Sequence, residues 1–349
     1  MTSRDMAPRE RDARTRSSDA ADPAALVRLD SWPRTRLANL PTPLYRAGRL
    51  AKSLGVSPLY IKCDNETGFA LGGNKVRKLE FELAPKRVRG VTCLITAGGP
   101  QSNHCRVTAA YAARAGLRCI LVTQGPEPER PTGNALLQRL FGAEIVIVAD
   151  RAERTARMHE IARRVESEGG RPLVVPIGAS TGLGILGYAI AAAELAKQLA
   201  VVDDGRDETL LFVSASSCGT LAGLLLGFAL LGRTDVRLFG VSADAPAGEI
   251  RYTTLALARE GAALLAAPVR FEGVHLETLD GQVGDGYGIP TPASREAIER
   301  FARLEGIVLD PTYTAKAAAG MMAWLAANGT SDSRRVVFLH TGGHPGLLS

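Results

Sequence analysis

The chain has 349 residues, enough for one large or two medium domains with a real core. Apolar residues make up 46%, charged residues 22% and aromatics 5%, and the formal charge of +6 is not gathered into a basic patch with interleaved aromatics, which argues against a nucleic-acid partner. No apolar run approaches the roughly 18–20 residues of a membrane span, so no membrane is expected among the partners and the setting reads as cytoplasmic, with a mild positive field that suits an anionic cofactor and substrate.

The chain opens with a polar stretch, Met1 to Asp22, that mixes Arg with acidic residues and lacks the apolar core of a secretory signal. Residues 1–24 are therefore expected to form a disordered arm. Strands are then predicted at Leu59–Cys63, Cys93–Thr96, Cys119–Thr123, Glu144–Val148, Leu173–Ile177, Leu210–Ser214, Arg237–Val241 and Val336–His340. Most are continuous Val/Ile/Leu runs, the pattern of strands buried on both faces of a parallel sheet. Helical patterns lie between them at Lys75–Lys86, His104–Ala115, Leu183–Leu199, Thr220–Leu231, Ser294–Leu304 and Ala315–Ala327, and Asp203–Asp207 reads as a surface loop. The alternation predicts an open α/β fold in two layers or domains with a cleft between them. In such sheets ligands bind where strands hand over to helices.

The first such junction is Thr67–Glu80. Gly72 and Gly73 allow unusual backbone angles, Asn74 is a good N-cap, and Lys75 opens a helix. An ammonium there faces the positive end of the helix dipole, which favours the neutral amine that imine formation with an aldehyde requires. The second junction, Thr96–His104, ends in Gln101-Ser102-Asn103-His104. Ser102, Asn103 and the free amides behind them can grip an anion such as a carboxylate, and Ser102 can at the same time cap the helix.

The run Gly178-Ala179-Ser180-Thr181-Gly182 matches a hydrolase nucleophile elbow, with His340 and His344 as partners on chain order alone. Overlapping it, Gly182–Gly187 matches a dinucleotide fingerprint, yet Asp203 and Asp204 lie in a loop after a helix instead of at a strand end. A glycine-rich turn with close helix packing accounts for both matches. The third junction, Ser214–Gly223, places Ser217, Cys218, Gly219 and Thr220 at a helix start, where small residues and hydroxyls suit a phosphate cradle or a capped turn. Further on, Tyr287 and Tyr313 sit in polar, turn-rich segments and are candidate proton donors. The five cysteines form no C-x-x-C pair, which fits reduced thiols, and the five histidines have no metal-ligand spacing, so no metal is expected.

Taken together, these segments resemble the family of D-cysteine desulfhydrase and 1-aminocyclopropane-1-carboxylate deaminase, pyridoxal-phosphate enzymes with a tryptophan-synthase β-subunit-like fold (fold type II). The resemblance runs from about Pro41 to Leu347 and is carried by G-G-N-K-x-R-K-L-E at Gly72–Glu80 and Q-S-N-H at Gln101–His104. It implies two open, mostly parallel α/β domains with the cofactor in the cleft: a small domain over residues 79–188 inserted into a large one made from 25–78 and 189–349, in a homodimer. It makes Lys75 the Schiff-base lysine and proton shuttle. Asn103 would bond the cofactor's phenolic oxygen, Lys78 and the Ser217–Thr220 loop its phosphate, Thr314 its pyridine nitrogen, and Thr341 would lie beside its ring. Ser102, Asn103, His104 and Tyr287 would meet the substrate, with Ser102, Tyr287 and Tyr313 in catalytic roles.

The implied activity is β-elimination or deamination of a small β-substituted amino acid, D-cysteine foremost, giving pyruvate, sulfide and ammonia. Opening of a cyclopropane ring, cysteate lysis and β-replacement are the neighbouring alternatives; a serine hydrolase at Ser180 and a nicotinamide oxidoreductase are the remote ones. The chain departs from the family pattern at Cys218 and Ser216, which stand where glycine is common, and at Asp285, where proline is usual. A side chain at 218 is expected to crowd the phosphate or shift the loop. Deaminases of the family carry Glu at the Thr314 position and Leu at the Thr341 position, which turns the expectation away from ring opening.

Overall fold

A computed structural model describes residues 22–126, 129–202 and 204–349. In order come α1 (Pro23–Ser31), β1 (Leu44–Arg46), α2 (Gly48–Leu54), β2 (Leu59–Lys62), α3 (Asn74–Glu82), α4 (Pro85–Val88), β3 (Cys93–Ala97), α5 (Asn103–Ala115), β4 (Arg118–Gln124), α6 (Gly133–Leu140), β5 (Glu144–Val148), α7 (Glu153–Ser167), β6 (Pro172–Val174), α8 (Leu186–Val202), β7 (Glu208–Ala215), α9 (Gly219–Leu230), β8 (Val236–Ser242), α10 (Ala247–Leu264), β9 (His275–Leu279), α11 (Pro292–Glu305), α12 (Thr314–Asn328) and β10 (Arg334–Leu339). Most of the expected arm, residues 1–21, lies outside the described residues. Its expected end does not: Pro23 already opens α1, capped by Asp22, whose Oδ1 accepts from the Ala25 amide at 2.9 Å.

The strands form two sheets. One has six strands in the order β1-β2-β10-β7-β8-β9, the other four in the order β5-β4-β3-β6. Every pairing is parallel except β1 with β2. The continuous apolar runs explain this. In β7, Leu211 and Val213 enter one apolar cluster while Leu210 and Phe212 enter another. In β3, Leu94 goes to one side and Cys93, Ile95 and Ala97 to the other. Alternate residues face opposite sides, so a strand covered on both must be apolar throughout.

The eight expected strands are all present; β1 and β9 are additional. Both are edge strands with half-exposed residues, so neither has an uninterrupted apolar run. The strand expected to reach Ile177 stops at Val174, and Ile177 instead begins a short 3₁₀ turn after Pro176. The helix expected over Lys75–Lys86 ends at Glu82, because Pro85 starts a new one.

A buried charge network fixes α3 to β2 and α8. Arg77 donates from Nε to Asp64 Oδ2 at 2.8 Å and from one terminal nitrogen to Asp64 Oδ1 at 2.9 Å. Tyr188 donates to Asp64 Oδ2 at 2.6 Å, and Glu194 accepts from both Arg77 and Lys62. Fully paired, such a cluster holds one arrangement; stripped of a member, it leaves an uncompensated buried charge. It sets the position of Lys75, two residues before Arg77.

Candidate active site

Lys75, the starts of α5 and α9, the tyrosine pair and the turn after β10 line one cleft. The approach to Lys75 is built from close backbone contacts. Gly72 has φ +68°, and a Cβ there would lie 2.1 Å from the Asn65 carbonyl oxygen. The Gly73 amide donates to Asp64 O at 3.1 Å, and the Asn74 amide to Thr341 O at 2.9 Å. Gly73, not Asn74, is the N-cap; Asn74 is the first helical residue, and its side-chain nitrogen donates to Thr220 Oγ1 at 3.0 Å, tying α3 to α9. Burial lowers the Lys75 amine to about 8, against the pull of Asp310 and with the help of the Arg106 charge.

One turn on, Lys78 is fully buried, and burial together with the Lys75 charge holds its amine well below the usual range. Its Nζ donates to Ser180 Oγ at 3.1 Å, and Ser180 Oγ donates to Ser217 Oγ at 2.9 Å. A Cβ on Gly219 would come within 2.5 Å of Ser180 Oγ and 3.0 Å of Lys78 Nζ, so only bare backbone fits between them. The start of α9 thus brings free amides, an amine and hydroxyls together.

Cys218 does not crowd this cradle as expected. It takes the left-handed conformation, φ +60°, that glycine would supply, and its side chain belongs to the apolar cluster around α8 and α9. Its Sγ lies 3.3 Å from Ser216 O, and burial pushes the thiol up to about 11.

At the start of α5, Ser102 Oγ accepts from the Cys105 amide at 3.2 Å. Asn103 Oδ1 accepts from Arg106 and from Asn134 Nδ2, both at 2.9 Å, which turns its own amide nitrogen into the donor left for the cleft. Thr96 Oγ1 donates to Val175 O at 2.7 Å, so the 2.8 Å contact with His104 Nε2 has the imidazole as donor. His104 Nδ1 is then a bare acceptor, buried without a partner among the described residues. Burial, reinforced by the Lys75 and Lys78 charges, holds His104 well below its ordinary pKa, so it meets the cleft as a neutral ring and cannot grip a carboxylate as a cation.

Tyr287 and Tyr313 share a short hydrogen bond between their hydroxyls, with rings 5.8 Å apart at 67°. Burial raises both phenols, keeping them protonated at neutral pH. Thr341 lines the cleft beside them. Thr314 does not reach it in the expected way: it is fully buried, and its Oγ1 donates to Asp310 Oδ1 at 2.7 Å.

Several residues at the site carry no motif signal. Arg106 donates to Gly72 O at 2.7 Å and to Asn103 and Asn134. The buried Lys316 donates to Val283 O at 2.7 Å and Gly286 O at 2.8 Å, fixing the loop that ends in Tyr287. Arg151 and Arg154 also line the cleft. For Arg106 the signal was spacing: it lies one turn after Asn103 in the helix that the Q-S-N-H stretch opens.

Both overlapping matches around Ser180 resolve as one packed turn. Ser180 bonds Lys78 and Ser217, whereas the His340 ring is taken up by Val308 O at 2.8 Å and the Gly342 amide at 3.2 Å. A Cβ on Gly184 would lie 2.1 Å from Ala179 O, and one on Gly187 2.2 Å from Arg77 O, so chain, not a pyrophosphate, fills the space against these glycines.

The residues fit pyridoxal phosphate. A doubly charged phosphate matches the amides of Ser217, Cys218 and Thr220 with Lys78 beside them, and an aldehyde matches an amine brought down to about 8. Comparisons with known proteins agree. A family model described as pyridoxal-phosphate dependent enzyme matches residues 35–342. Curated relatives from Salmonella choleraesuis and Salmonella newport, each named D-cysteine desulfhydrase, are 39% identical over 329 residues, 93% of this chain and 98% of theirs. A solved structure described as an ACC deaminase homologue is 35% identical, with TM-score 0.83 over 94% of this chain and 97% of that one. Threonine deaminase isoform 2 from Solanum lycopersicum, 18% identical with TM-score 0.63 over 92% of this chain and 84% of its own, shares the fold.

Proposed function

The chain belongs to the pyridoxal-phosphate dependent enzymes, and from that membership we infer that it is a lyase that eliminates the β-substituent of a small amino acid, with D-cysteine as substrate and pyruvate, sulfide and ammonia as products. The observation that carries this reading is the convergence of a buried amine of lowered pKa, an amide-lined phosphate cradle and a protonated tyrosine pair on one cleft. The 39% identity to enzymes named for that substrate supports it.

When bound, the cofactor supplies an aldehyde and a ring that draws electrons from the substrate's Cα. Lys75 would hold that aldehyde and would move the Cα proton; a pKa of about 8 leaves its amine able both to take and to return a proton near neutral pH. Ser217, Cys218 and Thr220 would offer backbone amides to the phosphate, the Gly219 amide being taken by the Ser217 carbonyl oxygen at 2.8 Å, and Lys78 would supply its positive charge. Asn103, whose Oδ1 is held by Arg106 and Asn134, would donate to the phenolic oxygen. Ser102 and the first amides of α5 take the substrate carboxylate at the positive end of a helix. Tyr287 and Tyr313 stand as proton donors on the substrate side. Thr341 flanks the ring, and Thr314, neutral and bonded to Asp310, offers the ring nitrogen no free carboxylate. Such a site suits departure of sulfur better than cleavage of a carbon–carbon bond.

The same reading places the enzyme in the cytoplasm as a homodimer. Five free, buried cysteines suit a reducing compartment, and no helix among the described residues is long and apolar enough to cross a membrane. The test is a panel of D- and L-amino acids assayed for ketoacid, ammonia and released sulfide. D-Cysteine should give all three in equal amounts; preferred turnover of 1-aminocyclopropane-1-carboxylate would overturn the substrate assignment.

A further inference from the structure

Arg106, in α5, is fully buried, and among the described residues no carboxylate pairs with its guanidinium. Burial brings it down to about 10, which still leaves it charged at neutral pH. Lys75 and His344 both feel that charge, and Asp310 pulls on the same two groups in the opposite sense. The donors of Arg106 all go to neutral oxygens: one terminal nitrogen to Gly72 O at 2.7 Å, the other to Asn103 Oδ1 and Asn134 Oδ1 at 2.9 Å each. The first nitrogen would lie 3.8 Å from a Cβ on Gly73, so the cation sits against the chain that leads into Lys75. Asn134, fully buried in the first turn of α6, is locked in turn. Its Nδ2 donates to Gln101 O at 2.8 Å and to Asn103 Oδ1 at 2.9 Å, while its Oδ1 accepts from Arg106. Reversing the Asn103 amide would set its nitrogen against two donors and forfeit both bonds. Two neighbours on two helices therefore hold Asn103 with its nitrogen towards the cleft. A buried charge without a counter-ion is costly, and the cleft side of Asn103 is where an anion can answer it.

We propose that Arg106 and Asn134 are positioning residues for the bound cofactor: together they aim the Asn103 amide at its phenolic oxygen, and the Arg106 charge, acting through that amide, holds the oxygen as an anion. The proposal rests on Lys75 holding the cofactor and is independent of which amino acid is the substrate. The phenolic oxygen shares a proton with the nitrogen of the C=N bond that Lys75 makes to the cofactor. A donor and a positive charge beside the oxygen favour the form that has lost that proton, so the pH at which it leaves is lowered. This bears on the first step, because a proton-free C=N nitrogen can take the proton that an incoming ammonium must lose before it attacks. Arg106 and Asn134 touch none of the reacting atoms; both act through Asn103.

Titrating the visible absorbance of the holoenzyme against pH reads that proton without turnover. Arg106→Gln should raise the midpoint by about one pH unit or more, a roughly tenfold change in proton affinity. Arg106→Lys, which keeps the charge without the fork, should restore part of the wild-type midpoint. Action through Asn103 shows as coupling: with Asn103→Ala in place, Arg106→Gln should move the midpoint much less than it does alone. Should Arg106→Gln fail to load cofactor, Asn134→Asp decides, because it sets a carboxylate against the guanidinium in an unchanged volume and should raise the midpoint in the same way. A midpoint unmoved by these variants, even where the melting temperature falls, makes the network structural only and overturns the proposal. So does a shift equally large with and without Asn103. A wild type with no titrating visible band would overturn the placement of the cofactor on Lys75, and the proposal with it.

Discussion

Lys78 reaches from α3 to Ser180, with Nζ 3.1 Å from Ser180 Oγ. This contact turns a serine in a hydrolase-like motif into a support for the phosphate loop, because the same hydroxyl donates a hydrogen bond to Ser217 Oγ at 2.9 Å. Ser180→Ala removes one buried hydrogen bond on each side. Such bonds are worth about 0.5–1.5 kcal/mol net, so cofactor affinity should weaken roughly 3- to 10-fold, read by titrating the apoenzyme with cofactor. Wild-type protein should stay unlabelled by a fluorophosphonate; stoichiometric labelling at Ser180 would restore the hydrolase reading.

Burial and the Arg106 charge bring the Lys75 amine to about 8. Only the neutral amine attacks an aldehyde, so capture of cofactor by the apoenzyme should speed up with pH and level off above a midpoint near 8. An ordinary lysine, with a pKa of about 10.4, would still be gaining there. Arg106→Gln removes a neighbouring positive charge and should move the midpoint upward. Stopped-flow absorbance across pH 6–10 checks both (about that range brackets the midpoint).

Cys218 spends left-handed strain, of order 1–3 kcal/mol, on a conformation glycine adopts freely, but it also buries its side chain in the core. These effects oppose each other, so Cys218→Gly should change stability by about 1 kcal/mol or less and leave D-cysteine turnover unchanged. The buried thiol, raised to about 11, should resist iodoacetamide at neutral pH in the folded enzyme. Loss of turnover with intact cofactor binding would assign Cys218 a chemical role.

Thr314 donates to Asp310 Oδ1, and Asp310 is a buried carboxyl whose pKa burial raises. Thr314→Glu would set a second carboxylate against it. Even with Thr341→Leu, the change should lower the melting temperature, and the loss should shrink on acidification, because protonating either carboxyl removes the repulsion. A penalty that does not shrink as the pH is lowered would show that Asp310 is not the cause.

The sheets were legible because β3, β7 and β8 are buried on both faces and must be apolar without interruption. The edge strand His275–Leu279 was not, since half-exposed positions leave no run to read. Neither was Ala247–Leu264, whose inward side carries Thr254, Ala258, Gly261 and Ala262 beside Ile250 and Leu257, too small a set to stand out as an apolar stripe. At the site, Lys75, Asn103 and the Ser217–Thr220 loop announce themselves by glycines and caps at strand-to-helix junctions. Lys316 and Arg154 do not: they act by hydrogen-bonding backbone carbonyls, which leave no pattern in the sequence.

Two lysines one turn apart are both held below the ordinary range by burial, and Lys75, the one that lines the cleft, is the residue expected to hold the cofactor. Borohydride reduction of the holoenzyme followed by peptide mapping separates them directly. The label should fall on Lys75 and disappear in Lys75→Ala; a label on Lys78, or on any other lysine, would contradict the account.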